Sequence, residues 1–458
     1  MATTFPGVIS FAFLAVMILA GTILRARVGV FRNNLVPASL IGGFLGFALI
    51  NLGLSFGFES ADFTAFTFHF FTLSFMSLCL TGSVKQAAPK GNSIAQGGSW
   101  LSIVWTMSLV LQALVGLGMI LLFNWATGND MSAFLGILVT HGFTQGPGPA
   151  LAMGSIWQSE FNIANALDFG LIYASVGFVV AFAVGIPVAR WAIRAGLNHN
   201  QSARFGEEFL TGILKADSNV SAGKQITHSA NVDTLAWHIG ILGLVYLLTD
   251  VYLKIMAPLA SQVTLFGADM GVIFSHNLFF FHGLIVCVVM RALMDRLNLG
   301  RYIDDETQRR VTGSSVDLMV AATIMSIQFG LLLTYFVPIL VVCVGVSVAT
   351  AALCFGFGRR LTHLGIERGL TAFGCCCGST GSGLLLLRIL DPDLSTPLAK
   401  ELAFFNIAIL FLSAHVLMFM APLLPSFSLT SIVLVYSVTF ATGAGGLYLL
   451  QRRMMATS

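Results

Sequence analysis

Two short stretches combine glycine, proline and side-chain oxygens in a way that could handle ions: Thr144-Gln145-Gly146-Pro147-Gly148-Pro149 and Gly378-Ser379-Thr380-Gly381-Ser382-Gly383. Glycine permits positive φ, while proline removes a backbone donor and blocks the continuation of a helix, so both stretches interrupt any helix that contains them. A helix restarting after such a break presents free N–H groups and a partial positive charge, which suits an anionic carboxylate. The exposed carbonyls and the hydroxyls of Thr144, Ser379, Thr380 and Ser382 are hard oxygen ligands suited to sodium. The chemistry implied is joint binding of an anion and a small cation. A single break is equally well read as small residues letting helices pack closely; a matched pair favours a site.

Both stretches lie in a chain that reads as lipid-soluble. Of 458 residues, 56% are hydrophobic and 9% charged, and the mean hydropathy is +0.87, whereas a soluble domain carries about 25% charged residues. No polar block is large enough for a soluble domain. The expected architecture is an all-α polytopic membrane protein, a single membrane transport domain over residues 1–458. A dispersed net charge of +3 excludes a nucleic-acid partner. The seven cysteines all fall in apolar stretches, where a thiol behaves as a small hydrophobe. The run Cys375-Cys376-Cys377 lacks the two-residue gap of a chelating pair, so packing is favoured over a metal site.

Eleven apolar runs are expected to cross the bilayer: 8–24, 37–56, 66–81, 101–123, 167–188, 235–255, 272–290, 316–330, 337–357, 402–423 and 432–450. Two further apolar segments, 134–157 and 369–390, contain the breaks. The first run has no basic residue before it and Arg25, Arg27 and Arg32 after it, which predicts a retained helix with an outside N-terminus rather than a signal peptide. The basic loops Lys85/Lys90, Arg190/Arg194, Arg291/Arg296, Arg359/Arg360 and Arg452/Arg453 all fall inside only if neither broken segment crosses completely. Both segments are then re-entrant hairpins, the first dipping from outside and the second from inside.

Broken segments at corresponding places in two halves, entering from opposite faces, point to inverted repeats with a midplane site, as in secondary transporters. The first repeat spans 36–194 with hairpin 134–157. A polar cytoplasmic linker covers 195–234, the second repeat region spans 235–423 with hairpin 369–390, and 428–451 adds a C-terminal span.

Four stretches in this order resemble the bacterial sodium:glutamate symporter family: Pro37 to Gly43, Gly146 to Pro149, Gly185-Ile186-Pro187-Val188-Ala189-Arg190 and Gly374 to Gly378. The likeness runs over roughly 36–420. Proline stands in the first break where the family usually has threonine or glutamine, and His141-Gly142 is a competing register for the family's histidine. The last span is an addition to the family pattern. The resemblance implies glutamate as substrate, sodium as coupling ion, a multi-pass protein of the bacterial inner membrane, and a homodimer. Each protomer would carry both hairpins in a mobile transport domain beside a scaffold, working by an elevator type of alternating access.

The candidate substrate contacts are Gln145, Gly146, Gly148, Ser379, Thr380, Gly381, Ser382 and Arg388; the candidate sodium ligands are Thr144, Ser379, Thr380 and Asp317. Arg388 could hold a carboxylate bidentately, against snorkelling or pairing with Asp391 or Asp393. Asp317 could ligate sodium or carry a proton, against service as an acid favoured by a helix dipole. Asp168 and Glu401 have the same bland reading, Gln328 and Asn406 are neutral cavity candidates, and His69, His276, His282 and His415 read as packing histidines. The main alternative is a proton-coupled transporter, or one for another carboxylate, with the same architecture. A channel would need a continuous polar pore in place of two local breaks. An intramembrane hydrolase would need more than Ser382, which has Thr380 rather than glycine two residues before it; no H-E-x-x-H occurs, and no enzyme is expected.

Overall fold

The computed structural model describes residues 6–81, 93–200, 206–216, 221–265, 268–392, 394–413 and 415–456. The Lys85/Lys90 loop lies outside these. The described chain is helical apart from a two-residue antiparallel pair, Thr264–Leu265 with Ala268–Asp269. Among the described residues eight helices are long and apolar enough to cross a bilayer, against the eleven expected: 37–56 holds the 14-residue helix Ala38–Asn51, 316–330 is broken after Met325, and 402–423 holds a helix that ends at Leu412.

Boundaries shift where polar residues extend a helix beyond its apolar core. The run expected at 316–330 belongs to Asp305–Met325, which starts in polar sequence because the Asp304 carboxylate caps it, accepting from the Thr307 N–H at 2.9 Å. The chain breaks at Ser326 and restarts as the short helix Phe329–Thr334.

The chain divides into two compact units, and each takes segments from both expected halves. One unit comprises 1–29, 37–89 and 211–326. Its helices Ala61–Leu80, Thr234–Ala260 and Phe279–Arg296 bury Met76, Leu80, Leu242, Val245, Leu253 and Cys287. A second cluster, with Phe13, Leu14, Met17, Phe63, Ala321 and Met325, joins Pro6–Arg27 and Asp305–Met325. Two polar contacts join helices of this unit: Ser77 donates to the Gln308 carbonyl oxygen at 2.7 Å, and Arg291 Nη1 to the Leu80 carbonyl at 2.6 Å.

The other unit comprises 30–36, 90–210 and 327–458 and holds both broken segments. A frame helix of 35 residues, Ser93–Thr127, precedes the first segment, and a spine helix, Ala166–Arg194, follows it. In the second half the helix Phe336–Gly358 precedes the broken segment and a strut helix, Leu398–Leu412, follows it. The order helix, broken segment, helix therefore occurs twice. Along the spine helix, Gly177 is pressed against the Cys377 carbonyl, leaving no room for a Cβ.

Candidate functional site

The first segment is built from Ala133–Ile137 and Val139–Phe143, then a turn through Thr144 and Gln145, then Pro147–Phe161. Gly146 caps the last of these helices with φ +90° and ψ −172°, a backbone conformation essentially reserved for glycine. Pro147 and Pro149 occupy the first and third helical positions, where a missing N–H costs no intrahelical bond. Gly148 is then the one residue of these three with an N–H to offer.

The second segment is Gly365–Cys377, a break at Gly378 and Ser379, then Thr380–Leu390. Ser379 is the N-cap of that last helix, its hydroxyl accepting from the Ser382 N–H at 3.4 Å. Thr380 and Gly381 follow as the first two helical positions.

The two breaks meet. A Cβ on Gly146 would stand 3.0 Å from the Gly378 carbonyl oxygen. The Thr144 hydroxyl donates to Gln112 Oε1 of the frame helix at 2.6 Å and lies 3.4 Å from the Cys376 carbonyl. Trp105 Nε1 donates to the Thr144 carbonyl at 3.2 Å. Thr380 donates to Asn406 Oδ1 of the strut helix at 3.0 Å, so its oxygen keeps lone pairs for another partner. Ser382 is buried with its Oγ beside Gly378, and the Gln145 side-chain nitrogen is buried close to His141.

Thr144, Gln145, Gly146, Gly148, Ser379, Thr380, Gly381 and Ser382 thus lie at or next to one junction. Two candidates lie elsewhere. Arg388 is exposed in the last turn of Thr380–Leu390, roughly 12 Å along the axis from Thr380. Asp391 does not pair with it: the Asp391 carboxylate accepts from the Thr396 N–H at 2.8 Å, from Ser395 Oγ at 2.7 Å and from Asn200 Nδ2 at 3.2 Å. Asp393 lies outside the described residues. Asp317 belongs to the other unit, on an exposed face of Asp305–Met325 beside Ser39 and Arg25.

Several polar residues have roles the sequence does not declare. Glu401, expected as an interfacial acid, is buried in a bidentate pair with Arg368, with Arg368 Nε to Oε2 at 2.8 Å and Nη2 to Oε1 at 2.6 Å. His276 stacks on Phe279 and pairs with Asp250 at 3.0 Å, while His282 stacks on Phe274 and bonds the Ile273 carbonyl. Asp168 meets Gln328. Cys375, Cys376 and Cys377 are all buried in their helix.

Gln112 and Trp105 were not among the candidates. Their signal is visible afterwards: Gln112 is the one amide or charged side chain between 101 and 123, where a polar group needs a partner. A cavity of about 550 Å³ opens away from the junction, between the outer ends of the first segment, lined by Asp130, Phe134, Asn162, Asn165 and Tyr335.

Apolar helices of bilayer length, with two interrupted segments packed break to break, define a multi-pass membrane protein built around discontinuous helices. The chain belongs to the sodium/glutamate symporter family, whose model matches residues 5–384 and so includes both breaks. A sodium/glutamate symporter of Haemophilus influenzae is 24% identical over 243 residues, covering 52% of this chain and 56% of that protein. The chain therefore matches little more than half the length of that curated relative.

Proposed function

We propose that the protein is a secondary transporter that couples sodium to the uptake of glutamate or a similar carboxylate anion by alternating access in the bacterial inner membrane. The observation that carries this reading is the meeting of the two breaks at Gly146 and Gly378 in a member of this family. The substrate carboxylate would lie against the helix starts at Gly148 and at Thr380 and Gly381, where N–H groups and two dipoles favour negative charge. Sodium would take oxygen lone pairs of Thr144, Ser379 and Thr380, whose hydroxyl protons point elsewhere or can turn away.

Three features support re-entrant hairpins carried by a moving unit. The arms Pro147–Phe161, Gly365–Cys377 and Thr380–Leu390 have 15, 13 and 11 residues, about 16–22 Å of helix against a hydrocarbon core of about 30 Å. Both segments belong to one compact unit. Each half also repeats the order helix, broken segment, helix. A homodimer in which the other unit serves as scaffold is the assembly that fits this division.

Asp317 favours a second reading, proton coupling, because a carboxylate on a membrane helix beside Ser39 and Arg25 could load and release a proton. Uptake of labelled glutamate into proteoliposomes tests both. An inward sodium gradient is expected to drive accumulation that an equal potassium gradient does not. Ser379→Ala with Thr380→Ala is expected to abolish it, and Asp317→Asn to spare it; loss confined to Asp317→Asn would transfer the coupling to protons. No uptake under either gradient would remove glutamate as substrate.

A further inference from the structure

Gln112 is fully buried, and its one planar amide reaches both broken segments. Its oxygen accepts the Thr144 hydroxyl at 2.6 Å in the first break. Its nitrogen donates to the Cys376 carbonyl at 2.8 Å, at the end of the helix leading into the second break, and to Thr350 Oγ1 at 2.9 Å on Phe336–Gly358. Ser108, one turn earlier on the same frame helix, lies 3.2 Å from that nitrogen. A carbonyl in the last turn of a helix has no intrahelical donor, so the side chain supplies one where the helix stops.

We propose that Gln112 is a positioning residue that holds the two breaks in register, so that an event at one break is felt at the other. The amide oxygen and nitrogen are fixed to one plane, and a hydrogen bond weakens steeply as its angle and length depart from the optimum. A shift of either break therefore breaks its own bond or drags the amide, and with it the other break. This inference rests on the transport reading for its consequence: a rigid junction sets sodium and substrate affinity together. The latch itself stands on geometry alone.

The test uses the full chain in lipid nanodiscs with Gln112→Ala, the volume-preserving Gln112→Met, and two controls. Trp105→Phe removes a bond to the first break only, and Ser108→Ala touches Gln112 but neither break. Hydrogen exchange of peptides covering 144–148 and 376–382 is expected to speed up in both together for the Gln112 variants, by about fivefold or more for the loss of one hydrogen bond at each. Trp105→Phe should affect the first peptide alone and Ser108→Ala neither. Acceleration of one peptide only, or of neither, in Gln112→Met overturns the proposal, and if Gln112→Ala does not fold the Met variant decides.

Uptake supplies the second readout. The sodium concentration for half-maximal uptake should rise about tenfold, while the maximal rate per folded protein stays within about twofold. A fall in rate alone, with unchanged sodium dependence, would make Gln112 a structural residue and refute the proposal. If the wild-type protein takes up no glutamate, the transport reading fails, and the exchange result still decides the latch.

Discussion

The strongest perturbation the structure offers is at Arg368 and Glu401. The guanidinium meets the carboxylate through two parallel N–H bonds at 2.8 and 2.6 Å and gives a third to the His363 carbonyl at 2.9 Å. Their side chains are 6% and 0% exposed, so neither charge has water to fall back on. In Glu401→Gln the guanidinium stays buried without its counter-charge, and stranding one partner of such a pair costs about 3–5 kcal/mol. With about 2–4 °C lost per kcal/mol in a unit of this size, the thermal midpoint of the purified protein should drop by roughly 10 °C. Arg368→Met combined with Glu401→Leu removes both charges and should recover most of that loss. Gly97→Ala offers an independent approach, since a Cβ there would overlap the Glu401 carboxylate. A Glu401→Gln midpoint within about 2 °C of wild type, less than the loss of even 1 kcal/mol, or a double variant worse than either single one, would refute the view that this pair anchors the second segment.

Other outcomes follow from single positions. Gly146→Ala forces a side chain into the positive-φ conformation at the first break and toward the Gly378 carbonyl; a cost of about 1–3 kcal/mol is expected, with uptake per folded molecule falling sharply, and wild-type uptake would count against the junction. In the loop after Thr380–Leu390, burial alone would raise the Asp391 carboxyl, but bonds from Thr396, Ser395 and Asn200 outweigh it and hold it at about 2, below its ordinary 3.8. Because the folded value is the lower one, this carboxylate stabilises the loop fully above pH 4 and ceases to do so as the pH falls through about 2. Asp391→Asn should therefore lower the thermal midpoint at pH 7 and flatten its decline on acidification; an unchanged slope would exclude the group as a contributor.

Much of the architecture is legible in the sequence because lipid leaves few choices: apolar runs of bilayer length must be helices, and Gly146-Pro147 and Gly378-Ser379 must interrupt them. The extent of Asp305–Met325 is less legible, since a hydropathy scan sees only its apolar second half while Asp304 fixes its start. Glu401 is the clearest miss. Near the start of an apolar run it reads as an acid favoured by a dipole, and it does sit in a first turn, but its partner is 33 residues away on another helix. Nothing in local spacing encodes that pairing. Arg388, conversely, has the chemistry of a carboxylate clamp and a sequence position close to the break, yet two helical turns carry it away from the junction.

The polar side chains that were hardest to foresee share one physical reason for being where they are. Each break leaves groups without intrahelical partners, and in a membrane unit no water is at hand to satisfy them. Partners then have to be supplied by neighbouring helices: Trp105 and Gln112 from the frame helix serve the Thr144 carbonyl, the Thr144 hydroxyl and the Cys376 carbonyl, and Asn406 from the strut helix takes the Thr380 hydroxyl. A helix adjoining a break can be apolar along most of its length and must be polar at the level of the break. An isolated amide or indole in an otherwise lipid-soluble run is therefore a statement about the segment it faces. Gln112, alone in its run, could have been assigned to a break before any fold was known; which break, and that it serves two, needed the packing.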